Sequence, residues 1–142
     1  MWKVLLLLAA CSTLPADDTG PATDDTGSGD VYGAVTATGG DCKGEAFAVD
    51  PTPVVWAEVE GRDILLHLDD LTANCCPTPG AEITLAGGTF SVVFDDLAGG
   101  GGCFCECVID FVVRIADVAS GTWTLDVAYR GADLGSTEVS VP

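Results

Sequence analysis

The chain has 142 residues, is 48% hydrophobic, and carries 22 Asp+Glu against 5 Lys+Arg for a formal net charge of −17. That length holds one domain, and the charge repels the phosphates of nucleic acid and the headgroups of anionic lipid, which excludes both as electrostatic partners. The apolar content excludes an acidic disordered chain, whose signature is charge without enough apolar surface to collapse.

Lys3 precedes a short apolar run from Val4 to Ala10. The run is too short to span a bilayer, which takes about 20 residues, and it has the form of an export signal. Its end, Leu8-Ala9-Ala10-Cys11, resembles the lipobox of bacterial lipoproteins. The resemblance covers only the start of the chain. It implies that residues 1–10 leave as a signal peptide and that the thiol of Cys11 takes up a diacylglyceryl group. Cys11 then becomes the acylated first residue of the mature protein. Ser12, standing where an Asp would retain such a protein at the inner membrane, implies sorting to the outer membrane. Several acyl chains on one cysteine hold a protein stably at a membrane, so the expected location is the bacterial cell envelope, by lipid anchor.

In residues 11–30, Cys11 is followed by Asp, Thr, Gly, Ser, Pro and Ala with almost no large apolar side chain. Such a segment reads as a self-repelling, flexible tether. Asp17-Asp18-Thr19-Gly20 recurs as Asp24-Asp25-Thr26-Gly27, but the acids do not alternate as the oxygens of a calcium loop must. The repeat is therefore a solvated spacer.

From Val31 the pattern changes to short runs rich in Val, Ile, Thr, Phe and Trp, divided by Gly, Asp and Pro. The runs predict strands at Val31–Ala37, Val54–Glu60, Asp63–Leu68, Glu82–Leu85, Thr89–Asp95, Cys105–Ile115, Thr122–Tyr129 and Thr137–Val141, with a weaker one at Gly44–Val49. No window repeats every 3.6 residues over three turns. Trp123, Leu125, Val127 and Tyr129 share one strand face, and Phe90, Val92 and Phe94 share another. One apolar face per sheet is what two packed sheets require. Residues 31–142 are thus expected to form an all-β domain, an antiparallel β-sandwich of the immunoglobulin-like, Greek-key type.

With Cys11 assigned to lipid, Cys42, Cys75, Cys76, Cys103, Cys105 and Cys107 remain. An even number of cysteines in an exported chain points to disulfides. Cys103, Cys105 and Cys107 alternate along a predicted strand, where parallel Cβ vectors prevent them from pairing with one another. A bridge between the adjacent Cys75 and Cys76 would be strained. Each member of the CxCxC group is then expected to pair with one of Cys42, Cys75 and Cys76. The alternation with Ile109, Phe111 and Val113 predicts that all three are core-facing. The competing reading is a zinc or copper(I) site built from Cys103, Cys105 and Cys107 with His67. It is disfavoured because CxC in a strand splays its sulfurs and because oxidation removes the thiolates.

His67 is the lone histidine, so any nucleophilic triad would need it. It is predicted on the solvent face of its strand, opposite Ile64, Leu66 and Leu68. Gly99–Gly102 lacks the Lys-Ser/Thr of a phosphate loop and reads as a mobile loop. The pairs Asp69-Asp70 and Asp95-Asp96 read as solvated acids at strand exits rather than as facing catalytic carboxylates. The expected protein is a non-catalytic surface-interaction or structural module of the envelope. It needs no cofactor, touches the membrane through its lipid and meets an unidentified protein or envelope component.

Overall fold

The computed structural model describes residues 34–45 and 51–142. The predicted signal peptide, Cys11, the tether and most of the weaker strand at Gly44–Val49 lie outside the described residues. Within them the chain forms β1 (Val35–Gly39), β2 (Val54–Glu60), β3 (Asp63–Asn74), β4 (Gly80–Ala86), β5 (Thr89–Asp95), β6 (Glu106–Ile115), β7 (Gly121–Tyr129) and β8 (Ala132–Val141).

The strands build two four-stranded sheets, ordered β1-β6-β3-β2 and β4-β5-β7-β8. Their inner faces close on one core, as alternation requires. Ile64, Leu66, Phe111 and Val113 from the first sheet and Phe90, Phe94, Leu125 and Val127 from the second are fully buried. Phe94 crosses the interface to Phe111, with ring centroids 4.8 Å apart and planes tilted by 52°, an edge-biased geometry that aromatic pairs favour. The all-β sandwich is therefore present. It differs from a wholly antiparallel one in the β5–β7 pair, which is parallel. Between those strands the chain visits the other sheet as β6, so β7 returns in the direction of β5. A parallel neighbour needs such a crossover.

Two-residue hairpins join β2 to β3 through Gly61-Arg62 and β7 to β8 through Arg130-Gly131. Arg130 and Gly131 sit at φ 50 and 77, the paired left-handed conformations that match the twist of the flanking strands.

Strand β3 runs six residues beyond its predicted end, and the reason lies in Asp69-Asp70. These acids are not a strand exit but a bulge, where the register with β6 shifts between Leu68 and Leu71 and Asp70 adopts φ 56. The extra residue flips the alternation. Even-numbered Ile64, Leu66 and Leu68 face the core before it, and odd-numbered Leu71 and Ala73 face it afterwards.

The two ends of the sandwich differ. Val35 lies opposite Ile115, and Gly39 lies opposite Phe111, so Ala34 sits at the end of β6 remote from Glu106. The Ala116 N–H donates to the Ala34 carbonyl at 2.8 Å, and the Ser120 hydroxyl donates to the carbonyl of Pro142. Ala34 and Pro142 thus share one pole. The cysteines occupy the other.

Candidate functional site

At the cysteine pole, β3 and the segment before β6 continue their pairing past the last ladder pair, Asn74 with Glu106. The Cys75 N–H donates to the Cys105 carbonyl at 3.2 Å. This places Cys75 against Cys105 and Cys76 against Cys103 as disulfides, with Cα separations of 5.6 and 5.5 Å. On the opposite flank of β6, the segment after β1 stays hydrogen-bonded to the strand through Lys43 and Val108, and Cys42 bridges Cys107 at a Cα separation of 5.7 Å. All three separations fall in the range a disulfide spans. Each CxCxC member takes one partner from Cys42, Cys75 and Cys76, as the spacing required.

The expectation that all three CxCxC thiols face the core holds only for Cys107, which is 1% exposed. Cys103 and Cys105 precede the strand, which begins at Glu106, and are exposed. The Cys103 backbone is held by a side chain and not by a neighbouring strand. The side-chain amide of Asn74 takes the place of a backbone partner: its Nδ2 donates to the Cys103 carbonyl at 2.7 Å, and its Oδ1 accepts from the Cys103 and Cys76 N–H groups at 2.8 and 2.9 Å.

Asn74 is itself fixed from below, because its N–H donates to Asp96 Oδ2 at 2.7 Å. Asp96 is only 2% exposed, which corrects its reading as a solvated turn acid. Its charge is met by Arg130 Nη2 at 3.1 Å, and Arg130 Nη1 reaches Glu106 at 2.6 Å. A buried carboxylate needs such a partner. The Glu106 carboxylate, with lesser contributions from Tyr129 and Asp96, holds the Arg130 guanidinium above its ordinary value. Burial, followed by the Asp96 charge, pushes the Tyr129 phenol up, and its hydroxyl donates to the Thr72 carbonyl at 3.0 Å. Asp95 is the turn acid expected, accepting from the Leu97 N–H at 2.8 Å.

The glycine run is tied down at its start. Gly100 N–H donates to the Leu97 carbonyl at 2.8 Å, and Thr78 Oγ1 donates to the Gly100 carbonyl at 3.0 Å. Gly102 sits at φ 116, with Leu97 Cδ2 3.1 Å from where a Cβ would lie, so a side chain would be strained by the backbone conformation and would crowd Leu97. The run leads into Phe104, whose relative exposure is 114%. A phenyl ring displayed between two disulfide-bonded cysteines has no packing role in its own domain. Beside it opens a hollow of about 470 Å³, with Glu45 and Glu106 among its lining residues.

A second cluster lies on the outer face of the first sheet. His67 is there, as alternation predicted, directly opposite Trp56 on β2. The rings stack with centroids 3.8 Å apart and planes 5° apart. His67 Nε2 meets Glu58 Oε1 at 3.2 Å, and the Trp56 indole N–H donates to Asp69 Oδ2 at 2.6 Å. Further along, the Lys43 ammonium contacts Asp110 at 2.6 Å and Asp70 at 2.8 Å, and those two carboxylates hold it well above its ordinary value. Burial pushes Asp110 upward, but the Lys43 ammonium and the Asp70 N–H outweigh it and hold that carboxyl low.

His67 is not brought to the cysteines. Its ladder partner is Val112, and Ala73 pairs with Cys107 six residues along β3, roughly 20 Å away at about 3.4 Å per residue. Among the described residues no group of three or more His, Cys, Asp or Glu is placed to hold a metal ion. Trp56, Asn74 and Phe104 are the residues that sequence reasoning did not single out, and the burial of Asp96 is the property that it missed. Trp56 and Phe104 had a usable signal, as aromatic side chains on the solvent side of an alternation. Asn74 and Asp96 had none, because their partners are distant in sequence.

Fold and pole define a three-disulfide β-sandwich that displays one aromatic ring on a stapled loop. No protein-family model, no curated protein and no solved structure matches the chain.

Proposed function

We propose that this protein is a lipid-anchored module of the bacterial cell envelope that binds another protein through its cysteine pole, without catalysis. The observation that carries the reading is the placement of Phe104. The ring is fully exposed on a loop closed by Cys76–Cys103 and Cys75–Cys105, at the pole opposite Ala34. If Cys11 holds the chain at the membrane, the stretch leading to Ala34 fastens the domain by one pole and leaves Phe104 at the far one. An aromatic side chain on a rigid support is the common form of an interface anchor, since little entropy is lost when it is buried. Disulfides also suit the oxidising side of a membrane, where a small domain gains most from them.

The test has two arms. A labelled fatty acid should be incorporated by the wild type and not by Cys11→Ser, which checks the anchor. A photocrosslinking amino acid at position 104, with position 84 on the outer face of the second sheet as control, should give a discrete adduct in intact envelopes from 104 only. Absence of an adduct at 104, or equal adducts at both positions, would overturn the binding role.

The zinc or copper(I) alternative loses support here, because its thiolates are consumed in disulfides and His67 lies elsewhere.

A further inference from the structure

Trp56 lies on β2, the last strand of the first sheet. One face of its indole rests on His67, and its N–H is committed to Asp69. Both contacts lie on the β3 side. The second face therefore turns past the sheet edge, and the residue keeps 38% of its surface exposed. The ring is fixed in place before any ligand arrives, so little ordering is required on binding.

The charge around that ring has one sign. Glu58, two residues along β2 on the same face, is more than half exposed, and Asp69 lies at the indole edge. The basic side chains of the described residues are engaged elsewhere: Lys43 with Asp70 and Asp110, Arg62 with Asp117, Arg114 with Asp63 and Glu60, and Arg130 with Asp96 and Glu106. The remaining basic residue, Lys3, lies outside them. The described residues thus offer no spare cation for this π face.

We propose that the open face of Trp56, flanked by Glu58 and Asp69, is a docking site for an arginine side chain of a protein partner. A guanidinium stacks flat on an indole by cation–π attraction while its N–H groups reach carboxylates beside the ring. An anionic group would be repelled by the flanking acids, and a neutral one would lose the charge attraction to the ring and to them. The site rests on the interaction-module reading and gives it a second contact, on a different face from Phe104.

The indole N–H resonance of Trp56 in a two-dimensional NMR spectrum of the purified, oxidised protein reads the site directly. It is assigned by its loss in Trp56→Phe. Titration with N-acetyl-arginine amide should shift it saturably. The neutral isostere N-acetyl-citrulline amide should bind about fivefold more weakly or worse, the scale of one exposed cation–π contact. Added salt should weaken the arginine response, as should Glu58→Gln with Asp69→Asn, which keep the ring but remove its acids. No shift with arginine, or equal shifts with arginine and citrulline in a well-dispersed spectrum, overturns the site. If that happens while the adduct at position 104 persists, the interaction module stands without it; loss of the adduct as well removes both.

Discussion

The Asn74 side chain pairs with Cys103 as a neighbouring strand would, donating to its carbonyl at 2.7 Å and accepting from its N–H at 2.8 Å. The same Oδ1 accepts from Cys76, so one amide aligns both cysteines of the outermost disulfide. Asn74→Ala removes the partners of two N–H groups and a carbonyl in a half-buried setting. The expected cost is about 2–3 kcal/mol, from groups left unsatisfied. Asn74→Asp keeps the acceptor but turns a second oxygen toward the Cys103 carbonyl and adds a charge beside buried Asp96, so it should cost at least as much at pH 7. Thermal unfolding of oxidised variants checks the order, and a smaller loss for Asp than for Ala would contradict it.

Peptide mapping without reductant should return Cys42–Cys107, Cys75–Cys105 and Cys76–Cys103, with no titratable thiol among these six and no stoichiometric zinc. The loops closed differ, with sequence separations of 65, 30 and 27. Chain entropy then assigns about 4.3 kcal/mol to Cys42–Cys107 and about 3.6 kcal/mol to each of the others. Replacing both cysteines of a pair by Ala should therefore cost most at Cys42–Cys107. Graded reduction should open Cys76–Cys103 first, since both its cysteines are exposed, and Cys42–Cys107 last, because Cys107 is buried.

Two phenylalanines on either side of Glu106 make opposite predictions. Phe111 is fully buried against Phe94, and Phe111→Ala should cost about 3–5 kcal/mol through lost burial and the cavity left behind. Phe104 is fully exposed, so Phe104→Ala should leave stability within about 0.5 kcal/mol of wild type while weakening retention of the partner that a crosslinker at position 104 captures. Denaturant midpoints of the two variants separate a packing residue from a binding one.

Acid should expose the Asp63 contacts. The Asp117 N–H and then the Arg114 guanidinium hold this carboxyl below its ordinary value of 3.8. A depressed folded-state value adds stability above the unfolded value and loses it as pH falls through the folded one. Asp63→Asn should accordingly be less stable than wild type at pH 7, with the difference shrinking as pH falls below 3.8. A difference that acid left unchanged would mean that Asp63 acts through packing instead of charge.

Much of this architecture is written locally. Alternation is a period-two property of each strand, so Phe90, Val92 and Phe94 inward, His67 outward and the bounds of β2 and β5 follow from the residues alone. The constraint on the cysteines was also local, because adjacent or parallel thiols cannot bridge, and it narrowed the pairing without choosing one. What required the tertiary structure were the relations between distant segments. The Asp69-Asp70 bulge inverts the parity of β3, which no period-two reading can anticipate. Asp96 is buried because Arg130 and Asn74 arrive from other strands to satisfy it. Trp56 becomes a platform only because register sets it opposite His67. Alternation decides which face a side chain takes, whereas register and crossover decide whom it meets, and both candidate sites of this protein depend on the second.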